Sequence, residues 1–193
     1  MAATTKTTEA TGAEEPEATV EDLYRVRGKA ELVNGRLRIM EPTGWMPARR
    51  AAAIYASLGV HERRTRSGYA IPDNMAFLVD LPNRKSFSPD AAFFIGEPSG
   101  MKFADGAPIF AAEVRSENDY GHAAERDMRD KRADYFAAGT LVVWDVDLLG
   151  EDTIRVFRNG NADEPDTVYR RGETAEAEPA VPGWRFAVDE LFE

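Results

Sequence analysis

After Met1, no large apolar residue occurs before Val20, and from there apolar positions recur to the end of the chain. The Thr, Ala, Glu, Gly and Pro of the first stretch cannot repay ordering entropy by burial, so residues 1–19 are expected to form a disordered tail and residues 20–193 one domain. Leu23, Tyr24 and Val26 predict a short helix. Ala30-Glu31-Leu32-Val33 and Arg36-Leu37-Arg38-Ile39-Met40 flank Asn34-Gly35, a pair that readily takes positive φ and predicts a tight hairpin. Pro42, Gly44 and Pro47 then break the pattern. A helix is predicted over 51–66, with Ile54, Tyr55 and Leu58 inward and arginines near its end, where they complement the helix dipole.

Apolar runs predict three strands over 69–71, 75–79 and 91–95, and 96–107 is expected to be a loop. Residues 108–115 predict a buried strand that ends in charge. A helix over 120–138 is expected to be capped by Asn118 or Asp119 and closed by Gly139. The continuous apolar run 141–146 fits a strand covered on both faces, with 153–157 paired to it as a hairpin and a loop-rich remainder. This order predicts an α/β domain: a mixed sheet flanked by helices, with a hairpin at its front.

Charge and composition narrow the chemistry. The chain has 193 residues, no cysteine and a formal charge of −10, which excludes disulfide scaffolds and thiolate metal sites; a reducing cytoplasm is the expected compartment. The start shows no signal-peptide pattern, and no window approaches the ~20 apolar residues of a membrane span. Residues 24–66 carry ten bases against three acids. Within that stretch Arg49, Arg50, Arg63 and Arg64 form either a phosphate-facing surface on an acidic body or a solvated charged face.

Three ionisable residues stand in apolar surroundings. Steps of four, three, four and three from Ala124 reach Met128, Lys131, Tyr135 and Ala138 on one helix face. Lys131 there needs either an internal carboxylate or a path for its ammonium to the helix edge. Period two places Ile109, Ala111, Glu113 and Arg115 on one strand face, with Glu113 either a metal ligand or half of a rim ion pair. Asp90 opens a strand after Ser88-Pro89, in a locally extended backbone.

Together, Pro89-Asp90, Glu113-Val114-Arg115 and the lysine of the next helix resemble the PD-(D/E)XK nuclease superfamily. In detail the chain resembles the Uma-two family of restriction-endonuclease-like proteins. The matching pieces are Ala30 to Gly35, Pro42-Thr43-Gly44, Ser88-Pro89-Asp90, Ala112 to Ser116, Lys131 with Tyr135 and Gly139, Val143 to Asp147 and Val181 to Trp184. The resemblance implies a phosphodiesterase acting on DNA, with Asp90 and Glu113 holding Mg²⁺ or Mn²⁺ through oxygen. The superfamily's usual lysine two residues after the glutamate is Arg115 here, which cannot serve as a base and is limited to clamping phosphate or stabilising charge. The resemblance transfers the amine's work to Lys131, with Tyr135 in support, and gives Glu31 a metal-side or supporting contact; an outward-facing hairpin residue is the equal alternative for Glu31.

Related sequences usually carry a histidine after the Pro-Thr-Gly segment, where this chain has Trp45-Met46-Pro47. His61 and His122 are expected at the surface. A catalytically silent binding or regulatory module on the same fold is the rival reading, and an assembly module using Trp45, Trp184 and Phe192 a third. A homodimer is the base-rate expectation.

Overall fold

The computed structural model describes residues 16–158 and 160–192; most of the expected tail lies outside them. Its described end is tied down. The Ala18 N–H donates to Gly35 O at 2.7 Å, and Thr19 caps helix α1 (Val20–Arg25) in a reciprocal capping box with Asp22. Strands β1 (Ala30–Val33) and β2 (Arg36–Ile39) pair around Asn34 and Gly35, whose φ values of 51° and 66° are what a two-residue turn of this hand requires.

Helix α2 spans Trp45–Thr65, six residues earlier than the sequence pattern implies. Pro47 does not break it, because the third residue of a helix has no intrahelical use for an N–H; the first helical bond runs from the Ala48 N–H to Gly44 O. The buried residues are Ala51, Ile54, Leu58 and His61. Tyr55 is 37% exposed, so it is not the inward residue expected, whereas His61, expected at the surface, is buried.

The main sheet has six strands in the order β11-β10-β9-β8-β6-β3. They are β3 (Tyr69–Pro72), β6 (Ala91–Phe94), β8 (Phe110–Val114), β9 (Val142–Asp147), β10 (Thr153–Arg158) and β11 (Thr167–Tyr169). Only β8 and β9 run parallel, joined through α3 (His122–Ala137); the other pairs are antiparallel. Every residue of β9 is buried, as its continuous apolar run implies. Alternation divides the sheet between two cores. Ala91, Phe93, Phe110, Ala112 and Trp144 face α2, where Trp144 stacks on Trp184 with ring centroids 4.9 Å apart. Ala92, Phe94, Ala111, Val143 and Phe157 face α3 and pack with Tyr135, Phe77 and Phe87. Trp184 is thus core, and the expected assembly surface of Trp45, Trp184 and Phe192 does not exist as one patch.

Strand β4 (Phe77–Leu78) falls within the strand expected over 75–79 and joins β5 (Ser86–Phe87) and β7 (Ala104–Asp105) in a small sheet beside the hairpin. The pattern gave no sign of β5, or of β7 inside the expected loop 96–107, because at two residues each they are too short to show a period. The C-terminal part adds β12 (Thr174–Glu176), β13 (Arg185–Ala187) and a 3₁₀ turn over Val188–Leu191. Helix α3 is capped by Gly121 rather than Asn118 or Asp119, because the Asp119 carboxylate already accepts from the backbone and hydroxyl of Ser116 at 2.7 Å. Gly139, with φ 103°, ends the helix as expected. No helix among the described residues is long and apolar enough to cross a membrane.

His61 faces the Phe93 ring, with centroids 6.0 Å apart, and contacts Arg64. Burial, and then the Arg64 charge, hold its pKa below the ordinary 6.5. The unfolded chain therefore binds this proton better, and the stability His61 contributes is present above pH 6.5 and lost as pH falls toward the depressed native value. Urea midpoints measured from pH 7.5 down to pH 5 should fall less steeply for His61→Gln than for the wild type.

Candidate functional site

The β6–β8 register builds the site. Ala91 pairs with Ala112, and the Asp90 N–H donates to Ala112 O at 3.1 Å, so the same register places Asp90 opposite Glu113. Both side chains share the sheet face toward α3, by the alternation that sends Ala92, Phe94 and Ala111 to that side. The sequence-derived trio therefore converges: Lys131 Nζ lies 2.8 and 2.9 Å from the two oxygens of Glu113. Tyr135, one turn on, donates its hydroxyl to Glu113 Oε1 at 2.7 Å and stacks on Phe87. The carboxylate partner required by an inward Lys131 is Glu113.

Glu31 belongs to the same cluster. It is buried, not outward, with Oε1 2.9 Å from Lys131 Nζ and 2.9 Å from the Ser88 N–H. Its other oxygen accepts from Arg84 at 2.6 Å, and Arg84 Nε donates to Asp134 at 2.8 Å. Burial would raise the Glu31 pKa; the Lys131 and Arg84 charges outweigh it and hold the carboxyl below its usual range. Glu113 goes the other way. Burial pushes it up, Lys131 pulls it down, and the repulsion of Asp90 and Glu31 leaves it raised. Burial would cost Lys131 its proton, but Glu113 and Glu31 more than restore it, so Lys131 is an ammonium at neutral pH. Burial, and then Glu113, push the Tyr135 hydroxyl well above its ordinary range.

The pattern of hydrophobic positions did not reveal Lys29 or Arg84. The Lys29 ammonium bridges Asp90 Oδ1 at 2.5 Å and Asp73 at 2.7 Å. A signal existed: Lys29 stands two residues before Glu31, and strand alternation puts the two on one face. Arg84 gave none, since its burial comes from a long-range bridge between Val33 and Arg84.

Arg115 is not available to clamp phosphate. Its guanidinium is 1% exposed and gives Nε and Nη2 to Asp145 at 2.6 and 2.7 Å, with Nη1 and Nη2 on Glu125 and Nη1 on Asp119 O. All five N–H donors are used. The four basic residues expected to bind nucleic acid are not brought together at the site either. Arg49 and Arg50 lie in the first half of α2, Arg50 over the Phe192 ring, whereas exposed Arg63 and Arg64 lie at its far end. A helix of 21 residues is about 30 Å long, too long for one small surface.

The cluster opens into a cleft of about 1320 Å³ whose lining includes Arg27, Lys29, Arg38, Trp45, Asp90 and Glu113. Among the described residues no group of three or more His, Cys, Asp and Glu side chains is disposed to hold a metal alone. The donor chemistry nevertheless fits a hard divalent cation. Two carboxylates from neighbouring strands, Asp90 and Glu113, face one cleft. Mg²⁺ ordinarily binds one or two carboxylates and completes its shell with water and substrate oxygen.

Residues 19–189 match the family model described as "Uma2: Putative restriction endonuclease", and the chain belongs to that family. The fold is shared with a solved structure titled a "putative nuclease belonging to DUF820" from Anabaena variabilis, at TM-score 0.70 and 16% identity over 90% of this chain and 97% of that one. No curated protein matches the chain.

Breaking a buried ion pair leaves an uncompensated charge and costs about 3 kcal/mol or more. Arg115→Met, which removes the cation gripping Asp145 and Glu125, should lower unfolding free energy by about that much in urea titrations, whereas Glu125→Gln, on the exposed side of the cluster, should cost less.

Proposed function

We propose that the chain is a cytoplasmic, Mg²⁺- or Mn²⁺-dependent endonuclease that hydrolyses phosphodiester bonds of DNA. The observation that supports this most is the opposition of Asp90 and Glu113 across the β6–β8 register with the Lys131 ammonium between Glu113 and Glu31. Asp90 and Glu113 are the residues to hold the cation. When bound, such an ion withdraws charge from a phosphoryl oxygen and acidifies water for attack.

The chain's own groups have separate tasks. Lys131 keeps its proton, so it acts as a donor that orients water or stabilises charge developing on the phosphorus oxygens, not as a base. Tyr135 fixes the rotamer of Glu113 through Oε1. Glu31, itself held by Arg84 and the Ser88 N–H, keeps Lys131 from leaving the cluster. Arg27 and Arg38 line the cleft, Arg38 within 3.6 Å of Asp127, and on this reading they are the residues that meet backbone phosphate.

The silent-module reading has one observation in its favour: the carboxylates are already met by ammonium and guanidinium groups of the chain. Isothermal titration with Mn²⁺ separates the two. The enzyme reading expects binding that disappears in Asp90→Ala and Glu113→Ala with circular dichroism unchanged. It also expects cation-dependent nicking of duplex DNA that falls about 100-fold or more in Lys131→Ala. DNA binding without any cleavage of duplex, single-stranded DNA or RNA at any Mn²⁺ concentration would establish the silent module instead.

A further inference from the structure

Lys29 is the charged residue of the cluster that the proposed chemistry leaves without a task, and its position is specific. Asp90 Oδ2 is committed to the Val114 N–H at 2.7 Å, which leaves Oδ1 as the oxygen free to serve an outside partner. Lys29 Nζ occupies that oxygen. The Lys29 backbone is anchored, its carbonyl accepting from the Met40 N–H at 2.9 Å, so any movement belongs to the side chain. Asp73, just after β3, gives the ammonium a second carboxylate outside the Asp90–Glu113 pair. Lys131 has no comparable retreat, because both of its carboxylates, Glu113 and Glu31, lie inside the cluster.

We propose that Lys29 is the exchangeable counter-ion of Asp90: it holds Oδ1 while no divalent cation is bound, and falls back on Asp73 when that oxygen is given over to one. From Asp73 it offers its remaining N–H donors to a phosphoryl oxygen of the substrate. An ammonium has three donors, so one bond to Asp73 leaves two. Lys29 lines the cleft and its side chain is 17% exposed, so those donors are within reach of a ligand there. Asp73 acts in this exchange as a positioning residue, through Lys29 alone. The inference rests on the proposed function, since it requires a cation at Asp90.

Mn²⁺ titration calorimetry at fixed ionic strength tests it in the wild type, Lys29→Met, Asp73→Asn, the double variant and Asp90→Ala. Removing the competing ammonium should tighten Mn²⁺ binding about tenfold, the strength of a charge pair at this separation when screened as in water. Asp73→Asn should weaken binding severalfold in the wild-type background, because Lys29 then has only Asp90. The same change should have no effect in the Lys29→Met background, a non-additivity that a mere change of local field does not produce. In the Mn²⁺-loaded protein, inorganic phosphate should bind severalfold more weakly to Lys29→Met than to the wild type.

Mn²⁺ binding that Asp90→Ala abolishes but Lys29→Met leaves unchanged or weaker would overturn the exchange and leave the proposed function standing. Additive effects of the two substitutions would likewise overturn it. Unaltered phosphate affinity would remove the substrate contact. Wild-type protein that binds no Mn²⁺, or binds it regardless of Asp90, would overturn both readings. Should Lys29→Met fail to fold, Lys29→Gln, which keeps hydrogen bonds without the charge, is read by the same criteria.

Discussion

The opposition of two carboxylates across one antiparallel strand pair is the constraint around which the rest of the site is built. Asp90 and Glu113 meet because β6 and β8 share a register, and like charges brought together under burial repel. The chain offsets that repulsion with cations from separate elements. Lys29 comes from the approach to β1, Arg84 from the turn before β5, and Lys131 from α3. Each is long enough to reach inward while its backbone belongs to another part of the fold. The cluster therefore assembles only when the hairpin, the small sheet, the main sheet and α3 are docked together.

A second buried charge cluster lies on the same sheet face, and its chemistry is different. Arg115 grips Asp145 and Glu125, and Arg132 adds a bond to Asp145 at 3.2 Å while lying 4.0 Å from the Phe157 ring. Guanidinium groups suit this role because their planar fork fills its donors in a single geometry and leaves nothing to exchange. The cluster that opens to the cleft uses ammonium groups on Asp90 and Glu113, whose three donors impose no single planar geometry. Arg115 is two residues from Glu113 along the chain and yet serves the first kind of cluster. Its side chain runs toward Asp145, the residue paired with Glu113 across the parallel β8–β9 register.

Much of this was legible from the residues. The alternation around Asn34-Gly35, the continuous run of β9 and the Gly139 stop predicted their elements because each depends on local backbone chemistry. The stripe of α3 singled out Lys131 and Tyr135 by periodicity, and the family resemblance gave them a place in the site. What stayed hidden depended on contacts distant in sequence. Arg84 is buried by a bridge to Val33, and the two-residue strands β5 and β7 exist only as partners of β4. Pro47 misplaced the start of α2 because a proline reads as a break unless the first turn is already known. His61 was taken for a surface residue since its neighbours Glu62, Arg63 and Arg64 are polar, yet it lies seven positions after Ile54 on the face that buries Leu58.

The separation of the basic residues by α2 bears on how a nucleic acid would be held. A protein that tracks a duplex by its phosphates needs positive charge spread along the contacted face, and most of its affinity then comes from counterion release. Here Arg63 and Arg64 sit at the far end of a long helix, while Arg27, Arg38 and Lys29 gather at the cleft within a chain of net charge −10. The cleft lining also carries Glu41, Asp73, Glu117, Asp119 and Asp127, so on the proposed reading its attraction for phosphate depends on a cation at the acid pair rather than on a continuous basic surface. On the proposed reading, binding energy is concentrated at the phosphate that reacts, where the cation, Lys131 and the cleft arginines act together, and little is available for phosphates a turn of the duplex away. Such an arrangement ties affinity to the same groups that stabilise charge in the reaction, so recognition of a longer site would have to come from a further surface or a further chain.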